Sequence, residues 1–212
     1  MEEISLLAPV DLVLVARKAT LGPVKVATGI FKEPVHGPIK LTDLGLEGDF
    51  QVDRRVHGGL EKALHHYNAD NYTILTDAFA HLSGKFIPGS IGENISTKGM
   101  SEEQIHIGDI FQFGEAILQV SQPRKPCWKV NHKYNNAHIC AVLVTLGITG
   151  WYYRVLNPGK VQVGDQIRLI ERLPKSMSVS SVWQLYRANA HKEKAIAELA
   201  KVPALSKEWL KV

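Results

Sequence analysis

The sequence contains very little cysteine and no long apolar run. Only two cysteines occur in 212 residues, and their spacing gives neither a disulfide framework nor a zinc-binding motif. No stretch approaches 18 consecutive apolar residues, so we expect no membrane-spanning helix. The acidic start, with Glu2 and Glu3, lacks the basic and apolar regions of a secretory signal. We therefore expect a soluble protein of the reducing cytoplasm, where a thiol stays free.

Several common functional motifs are also missing. The chain has no Gly-x-x-x-x-Gly-Lys-Ser/Thr loop, no Gly-x-Gly-x-x-Gly fingerprint and no His-Glu-x-x-His pair. Two histidines are adjacent, His65 and His66, in a segment that we predict to be a strand. Neighbouring side chains of a strand point to opposite faces, so at most one of them can serve any one site. This argues against a zinc site at these residues.

The net charge of +4 is concentrated at the end of the chain. From Lys175 onward seven Lys and Arg stand against three Glu, whereas residues 1–174 carry 18 charges of each sign. A basic segment can bind nucleic acid. However, this one lacks an arginine-rich run and a pattern of stacking aromatics, and solvated lysines on short helices explain it more simply. We expect neither a nucleic acid nor a membrane as a partner.

The first 174 residues have the pattern of short strands separated by turns. Two segments resemble each other, Ile105–Phe113 (IHIGDIFQF) and Val161–Ile170 (VQVGDQIRLI), and each places Gly-Asp between alternating apolar residues. That pattern is typical of a tight turn that opens a strand. Further strands are predicted at Asp11–Lys18, Val24–Phe31, Leu44–Val52, Ala116–Val120 and Trp151–Leu156. Together they favour a β-barrel over alternating βαβ units.

Helices are predicted to be fewer and to dominate only the end of the chain. Asn68–Leu82 begins with a capping residue and has helical spacing, whereas Ala137–Leu146 fits either a helix or a strand. After residue 174 we predict three short helices, which begin at Ser178 or Ser180, at Lys192 and at Ser206. The predicted fold is therefore mainly β with helices (α+β), with a β-barrel domain over 1–174 and a three-helix domain over 175–212.

The segment Val120–Val130 (VSQPRKPCWKV) has the strongest chemical signal. Two prolines stiffen the loop that leads to Cys127. The cations Arg124, Lys125 and Lys129 and a helix predicted to begin at Trp128 all favour thiolate over thiol. Thiolate attacks electrophiles and binds soft metals. The alternative is that Cys127 is a small buried apolar residue.

Two further segments combine glycines with polar groups. In the first, Arg54, Arg55, His57 and Lys62 surround the pair Gly58-Gly59. Paired glycines let a ligand approach the backbone, and cations with exposed amides suit a phosphate, although the same residues also fit a hairpin turn. The second segment, 88–94 (PGSIGEN), ends in Asn94. It can present a polar edge to a heterocycle or form an ordinary turn before a strand.

The three segments occur together in a known family. HGGLEKALHHY, PGSIGENI and QPRKPCWK, in this order and spacing, resemble the MOSC domain, which is named for the C-terminal domain of molybdenum cofactor sulfurases. The resemblance covers about residues 10–172. A three-helix segment after the barrel is similar to the bacterial branch associated with resistance to 6-N-hydroxylaminopurine. The implied fold is a β-barrel that binds molybdopterin, and the implied activity is reductive removal of oxygen from N-hydroxylated bases and related compounds.

The resemblance also implies roles for particular residues. Cys127 matches the family cysteine that ligates molybdenum, and a soft metal suits a thiolate. Asn94 would bind the edge of the pterin, and His57 or a neighbouring acid would deliver a proton, a choice that the sequence leaves open. An external flavoprotein or ferredoxin would restore the electrons. The groups that suit the terminal phosphate of the cofactor are Arg54, Arg55, His57, Gly58, Gly59, Lys62, Arg124 and Lys129.

Two other classes of function remain open from the sequence. In one, the protein is a cofactor-independent thiol enzyme or persulfide carrier in which Cys127 is the nucleophile and His57 its base. In the other, it binds and carries molybdopterin without chemistry. The second cysteine, Cys140, lies in an apolar run, and we predict that it belongs to the core.

Overall fold

The structure is a computed structural model. It describes residues 6–22, 25–188 and 192–211, apart from the side chains of Arg55 and Lys192. The strands in these residues are β1 Leu7–Pro9, β2 Leu12–Ala16, β3 Ala19–Leu21, β4 Val26–Thr28, β5 Lys32–Pro34, β6 Ile39–Thr42, β7 Gly45–Leu46, β8 Leu64–Asn68, β9 Ile95–Thr97, β10 Ile110–Phe113, β11 Ala116–Pro123, β12 Trp151–Asn157, β13 Gly159–Val161 and β14 Gln166–Glu171. The α-helices are α1 Arg54–His57, α2 Asn71–Ala78, α3 Lys129–Tyr134, α4 Ile139–Leu146, α5 Val179–Arg187 and α6 Lys192–Leu199. Short 3₁₀ helices span Leu60–Lys62, Ala80–Leu82 and Lys207–Leu210.

One curled sheet organises most of the chain. Its nine strands lie in the order β1-β14-β10-β11-β12-β8-β9-β2-β5. All neighbours are antiparallel except β8 and β9, which run parallel. Smaller sheets, β13-β6-β7 and β3-β4, flank it. The predicted fold class, mainly β with helices, is confirmed. No helix within the described ranges has the length and apolar character needed to cross a membrane.

The two Gly-Asp segments form the same turn, as their sequences predict. Gly108 and Gly164 both have a φ of 87°, a region that favours glycine. The carboxylate of Asp109 accepts a bond from the backbone N–H of His106 at 2.9 Å. Asp165 accepts the equivalent bond at 2.9 Å from the residue three positions before it. Each turn is followed directly by a strand of the main sheet, β10 or β14.

Some predicted boundaries are wrong, for local reasons. The strand predicted at Leu44–Val52 shrinks to β7, because Gly48 turns the chain with a φ of 79°. The strand predicted at Val24–Phe31 is confined to β4, and residue 24 lies outside the described residues. The helix predicted from Asn68 begins at Asn71, because Asn68 still belongs to β8. The ambiguous segment Ala137–Leu146 contains the helix α4.

The tail packs on the main sheet. Helix α5 is capped by Ser178, one of the two residues at which the sequence predicts its start. The side chain of Ser178 accepts a bond from the backbone N–H of Ser181 at 3.1 Å. Trp183, Leu199 and Trp209 are buried in the same core cluster as residues of β10, β11 and β12. The tail therefore shares the core of the sheet, and the proposed division at residue 175 stays a prediction. A second cluster lies between α2, α3 and α4.

Candidate functional site

The three predicted segments meet at one open cleft. It contains about 640 Å³ of space, including the part open to solvent. Residues 57–65 contribute one wall, the turn at residues 91–94 another, and the segment around Cys127 a third. Residues from β4, β5 and the loop before α1 complete it. The lining residues used below are Lys32, Asp49, Gln51, His57, Lys62, His65, Asn94, Arg124, Cys127, Lys129 and Tyr152.

Cys127 and His57 are in contact in this cleft. The sulfur of Cys127 lies 3.8 Å from Nε2 of His57, across 70 positions of sequence. Cys127 is half-buried and directly precedes Trp128, the N-terminal cap residue of α3, so the helix predicted after it is confirmed. Its carbonyl accepts bonds from the backbone N–H of Val130 at 2.9 Å and from the thiol of Cys140 at 3.2 Å. These bonds fix the backbone that carries the thiol.

His57 is held in its neutral form. Burial lowers the pKa of its imidazole, and the neighbouring cations Lys129, Arg124 and Lys62 lower the pKa further, whereas Asp53 opposes them. Near neutral pH one ring nitrogen of His57 is therefore free to accept a proton. The ring nitrogen that faces Cys127 is consequently suited to proton exchange with a group bound at the sulfur.

Arg124 is a buried cation with an unused donor. Its side chain is 5% exposed, and Nη2 donates to the carbonyl of Ile91 at 3.2 Å. Nη1 has no hydrogen-bond partner among the described residues. A buried guanidinium N–H without a partner is unfavourable, and an anion in the cleft would satisfy it. Lys129 adds a second cation, whose Nζ donates to the carbonyl of Ala27 at 2.7 Å.

Lys62 joins the cleft to the tail. Its Nζ donates to the carbonyl of Val56 at 2.7 Å. The same atom forms an ion pair with Oε2 of Glu208 at 2.5 Å. Lys62 therefore lines the cleft while its charge is balanced by a carboxylate from the tail. The sequence predicted the cation at this position but gave no sign of its partner.

The floor of the cleft is a polar cluster that the sequence analysis missed. Oδ1 of Asp49 accepts bonds from the backbone N–H of Ala16 at 2.6 Å and from Nζ of Lys32 at 2.7 Å. Burial lowers the pKa of Lys32, and the charge of Asp49 opposes that effect. The cluster joins three separate segments of the chain, at Ala16, Lys32 and Asp49. No single stretch of sequence therefore contains it as a motif.

Asn94 belongs to the same cluster. Its Nδ2 donates to Oδ2 of Asp49 at 2.9 Å and to the carbonyl of Leu14 at 3.1 Å, and its Oδ1 accepts from the backbone N–H of His65 at 3.1 Å. Both amide donors are thus used within the protein, and only the remaining lone pair of Oδ1 can meet a ligand. Its role at the pterin edge stays a prediction.

The glycine pair shapes the entrance to the cleft. A Cβ atom on Gly58 would lie 2.0 Å from Oε1 of Gln51, and Gly59 has a φ of 85°. The backbone conformation therefore favours glycine at position 59, whereas a side chain at position 58 would require the Gln51 side chain to move. Arg54 lies in α1 with an exposed side chain and is absent from the lining of the cleft. The side chain of Arg55 lies outside the described residues, so both arginines stay predictions.

The two adjacent histidines point to opposite faces of β8, as predicted. His65 lines the cleft, whereas His66 is buried between the hydroxyls of Tyr153 at 3.0 Å and Thr97 at 2.8 Å. Burial lowers the pKa of His66 to about 3. Tyr152, on the strand beside β8, also lines the cleft. The alternation of side chains along β8 thus places His65 in the cleft and His66 in the core.

Cys140 has a supporting position beside the site. It is half-buried, packs against the second core cluster, and its backbone N–H donates to Oδ1 of Asn131 at 2.8 Å. Burial raises the pKa of its thiol. This agrees with a structural residue, although the thiol also holds the carbonyl of Cys127. The sequence did not indicate that the two cysteines meet.

The curled sheet carries an open cleft in which a half-buried thiol, an imidazole and buried cations lie together. Comparison with known proteins identifies the family. The chain matches the model of the MOSC domain over residues 53–168, and it belongs to the MOSC family. The family predicted from the sequence is confirmed.

Three relatives illustrate the similarity. Protein YiiM of Escherichia coli is 41% identical over 146 residues, which are 69% of this chain and 65% of that protein. The uncharacterized protein YflK of Bacillus subtilis is 36% identical over 87% of this chain and 82% of its own length. A protein of Gibberella moniliformis named reductase is 34% identical over 88% of this chain, which spans only 33% of that protein. The crystal structure of E. coli YiiM superposes with a TM-score of 0.77, at 32% identity, over 96% of this chain and 89% of that one.

Proposed function

We propose that this protein is a molybdenum-cofactor-dependent reductase of N-hydroxylated compounds, such as 6-N-hydroxylaminopurine and related bases or hydroxylamines. The observation that carries the proposal is that the Cys127 thiol and the unpartnered Nη1 of Arg124 belong to one cleft. A ligand that engages both groups would offer a soft metal to the thiolate and an anionic group to the guanidinium. A MOSC-family chain makes molybdopterin the natural candidate, because that cofactor has both.

The residues of the cleft fit this group. A thiolate suits molybdenum that is already bound to dithiolene sulfurs. Arg124 and Lys129 would donate charge-assisted hydrogen bonds to a phosphate, and the unpartnered Nη1 of Arg124 supports this role. Lys62 is a third cation that lines the cleft, from the wall formed by residues 57–65. Asn94 has one free acceptor for the polar edge of a pterin.

The bound cofactor would supply the two-electron chemistry that removes the N-hydroxyl oxygen, and the chain would hold and tune it. In this proposal Cys127 is the metal ligand, and Arg124, Lys129 and Lys62 bind the phosphate. Loss of oxygen as water consumes protons, and we place a proton donor at Nε2 of His57, 3.8 Å from the sulfur. Because burial and nearby cations lower the pKa of His57, its protonated form would release a proton more readily than an ordinary imidazolium.

The name of one relative supports a redox function, since the Gibberella protein is called a reductase. A reductase also needs an electron source, and we propose an external flavoprotein or ferredoxin. The basic tail is a suitable docking surface for an acidic donor, because seven Lys and Arg stand against three Glu from residue 175 onward.

The test is to purify the protein from a host that makes the cofactor and to measure molybdenum by elemental analysis. Turnover is then measured with a hydroxylamine substrate and a reduced viologen as donor. We expect bound molybdenum and turnover in the unchanged protein, and loss of turnover in Cys127→Ser. Turnover without molybdenum would refute the proposal, and molybdenum without turnover would favour a cofactor carrier.

The contact between Cys127 and His57 supports a second candidate. A neutral imidazole beside a thiol can accept its proton, which is the arrangement of a thiol nucleophile and its base. The protein would then be a thiol enzyme or persulfide carrier without a metal. Protein from a host that cannot make molybdopterin separates the two, because only the thiol mechanism survives there.

A further inference from the structure

Four cations line the cleft in the described part of the chain, and two of them are already paired with carboxylates. Lys32 pairs with Asp49 at 2.7 Å, and Lys62 pairs with Glu208 at 2.5 Å. The other two, Arg124 and Lys129, donate to backbone carbonyls. An anion that enters the cleft therefore meets two cations without a partner carboxylate and two that are neutralised.

The two carboxylates are held very differently. The side chain of Asp49 is 2% exposed and also accepts bonds from the backbone of Ala16 and the amide of Asn94. The side chain of Glu208 is 43% exposed and pairs with Lys62. Rotation of the Glu208 side chain would place its charge in solvent at little cost, since exposed carboxylates are well hydrated. Asp49 is thus a fixed counter-ion, whereas Glu208 can be released.

We propose that Glu208 is an exchangeable counter-ion of the cleft, which a phosphate monoester displaces from Lys62. This inference rests on the proposed function for the identity of the anion. Without the anion, Glu208 neutralises Lys62 and ties the last 3₁₀ helix to the wall of the cleft. With the anion bound, Lys62 donates to phosphate oxygens and Glu208 turns to solvent. Lys62 keeps its bond to the carbonyl of Val56 in both states.

The exchange links the site to the aromatic cluster of the tail. Trp209, next to Glu208, contacts Trp183 edge to face with ring centroids 5.1 Å apart, and it contacts the tilted ring of Tyr186 at 4.8 Å. Nζ of Lys125, in the loop before Cys127, lies over the rings of Tyr186 and Trp209 at 4.3 and 4.7 Å. Release of Glu208 removes an ion pair from the last helical turn, so phosphate should loosen that turn. The coupling is reciprocal: if phosphate weakens the ion pair between Lys62 and Glu208 by some factor, the ion pair weakens phosphate binding by the same factor. Removing the ion pair should therefore strengthen phosphate binding.

The first experiment measures the affinity for inorganic phosphate by calorimetric titration at low ionic strength. The full-length protein is made in a host that does not produce molybdopterin. We expect Glu208→Gln to bind phosphate roughly tenfold more tightly than the unchanged protein, a typical size for coupling between two sites. The matched control is Glu198→Gln, which also removes a negative charge from an exposed ion pair of the tail, the pair with Lys201. That variant should bind phosphate with unchanged affinity.

The second experiment measures hydrogen exchange of the backbone amides of residues 207–211 in the unchanged protein. Saturating phosphate should speed this exchange in the unchanged protein, but not in Glu208→Gln, where the ion pair is already absent. Equal phosphate affinity in Glu208→Gln and the unchanged protein would overturn the exchange and leave the proposed function intact. Failure of both proteins to bind phosphate would overturn it together with the anion site of the proposed function.

Discussion

Nε2 of His57 lies 3.8 Å from the sulfur of Cys127, and the imidazole is kept neutral by burial and by the cations around it. We propose a chemical role for His57 at this contact in both candidate mechanisms. Beside a metal-bound thiolate it is a proton donor to the substrate, and beside a free thiol it is a base. The two candidates therefore share residues and differ in whether metal is required.

Replacement of Cys127 should separate the two cysteines in function. Cys127→Ser should lose turnover and most bound molybdenum while it stays folded, because the thiolate is the proposed ligand. Cys140→Ala should keep turnover, since it loses only a weak thiol bond to the Cys127 carbonyl. The measurements are molybdenum content, turnover and circular dichroism. The same loss in both variants, or full turnover in Cys127→Ser, would refute the assignment.

Loss of a phosphate-binding cation should lower the amount of bound cofactor more than it lowers the turnover per bound molybdenum. Removing one charge-assisted hydrogen bond costs about 1.5–3 kcal/mol, or roughly tenfold to a hundredfold in affinity. Arg124→Ala and Lys62→Ala should therefore copurify with less molybdopterin, with turnover per bound molybdenum much less affected. Lys98→Ala is the control, because Lys98 is exposed and absent from the lining of the cleft. Normal cofactor content in both test variants would move the phosphate site elsewhere.

Acid should destabilise the protein in part through His66. The folded protein keeps His66 neutral down to its pKa of about 3, whereas the unfolded chain binds a proton at about pH 6.5. Between these values the unfolded state holds the extra proton, so stability falls as the pH falls, by about 1.4 kcal/mol per pH unit.

This pH dependence can be measured by urea unfolding of the unchanged protein and of His66→Gln at pH 7, 6 and 5. The variant should show a shallower fall in the free energy of unfolding, by about 1.4 kcal/mol per pH unit below pH 6. His36→Gln, which changes an exposed histidine, should keep the steep fall. Identical slopes for His66→Gln and the unchanged protein would contradict burial of a neutral imidazole.

The tail should govern electron transfer from a protein donor through its charge. Deleting it would remove Trp183 and Trp209 from the core cluster that they share with the main sheet, so charge reversal is the cleaner test. Replacing Lys194, Lys207 and Lys211 by Glu should slow reduction by an acidic flavoprotein or ferredoxin at low salt, because charge steers such encounters. Reduction by a viologen should not change.

The control for charge reversal changes three exposed lysines outside the tail, Lys40, Lys85 and Lys98, to Glu. These substitutions alter the net charge equally, and they should slow the protein donor less. Equal effects of the two triple variants, or an unchanged rate with the tail variant, would exclude docking at the tail.

The sequence predicted those parts of the site that lie in short continuous segments. The Gly-Asp turns, the helix after Cys127 and the opposite faces of His65 and His66 depend on neighbouring residues, so local rules were sufficient. Asp49 and Lys32 were missed because their contact joins residues 17 positions apart. It is the hydrogen bond from Asn94 to Asp49 that connects this pair to a segment that the sequence had singled out.

Other errors have the same physical origin. The partner of Lys62 lies in the tail, and no local pattern indicates that Glu208 reaches it. The predicted helix from Asn68 started too early, because pairing of β8 with β9 extends through Asn68 and competes with helix formation. Tertiary contacts overrode local propensity in each case.

The opposite orientations of His65 and His66 make the length of the preceding connection as important as its composition. Between Gly59 and β8 the chain runs through a single 3₁₀ turn, Leu60–Lys62. Inserting or deleting one residue there would shift β8 by one position and exchange the two side chains, with His66 in the cleft and His65 in the core. A change of two residues would restore their faces. Substitution of the exposed Leu60 in this connection should thus be tolerated more readily than the insertion or deletion of one residue.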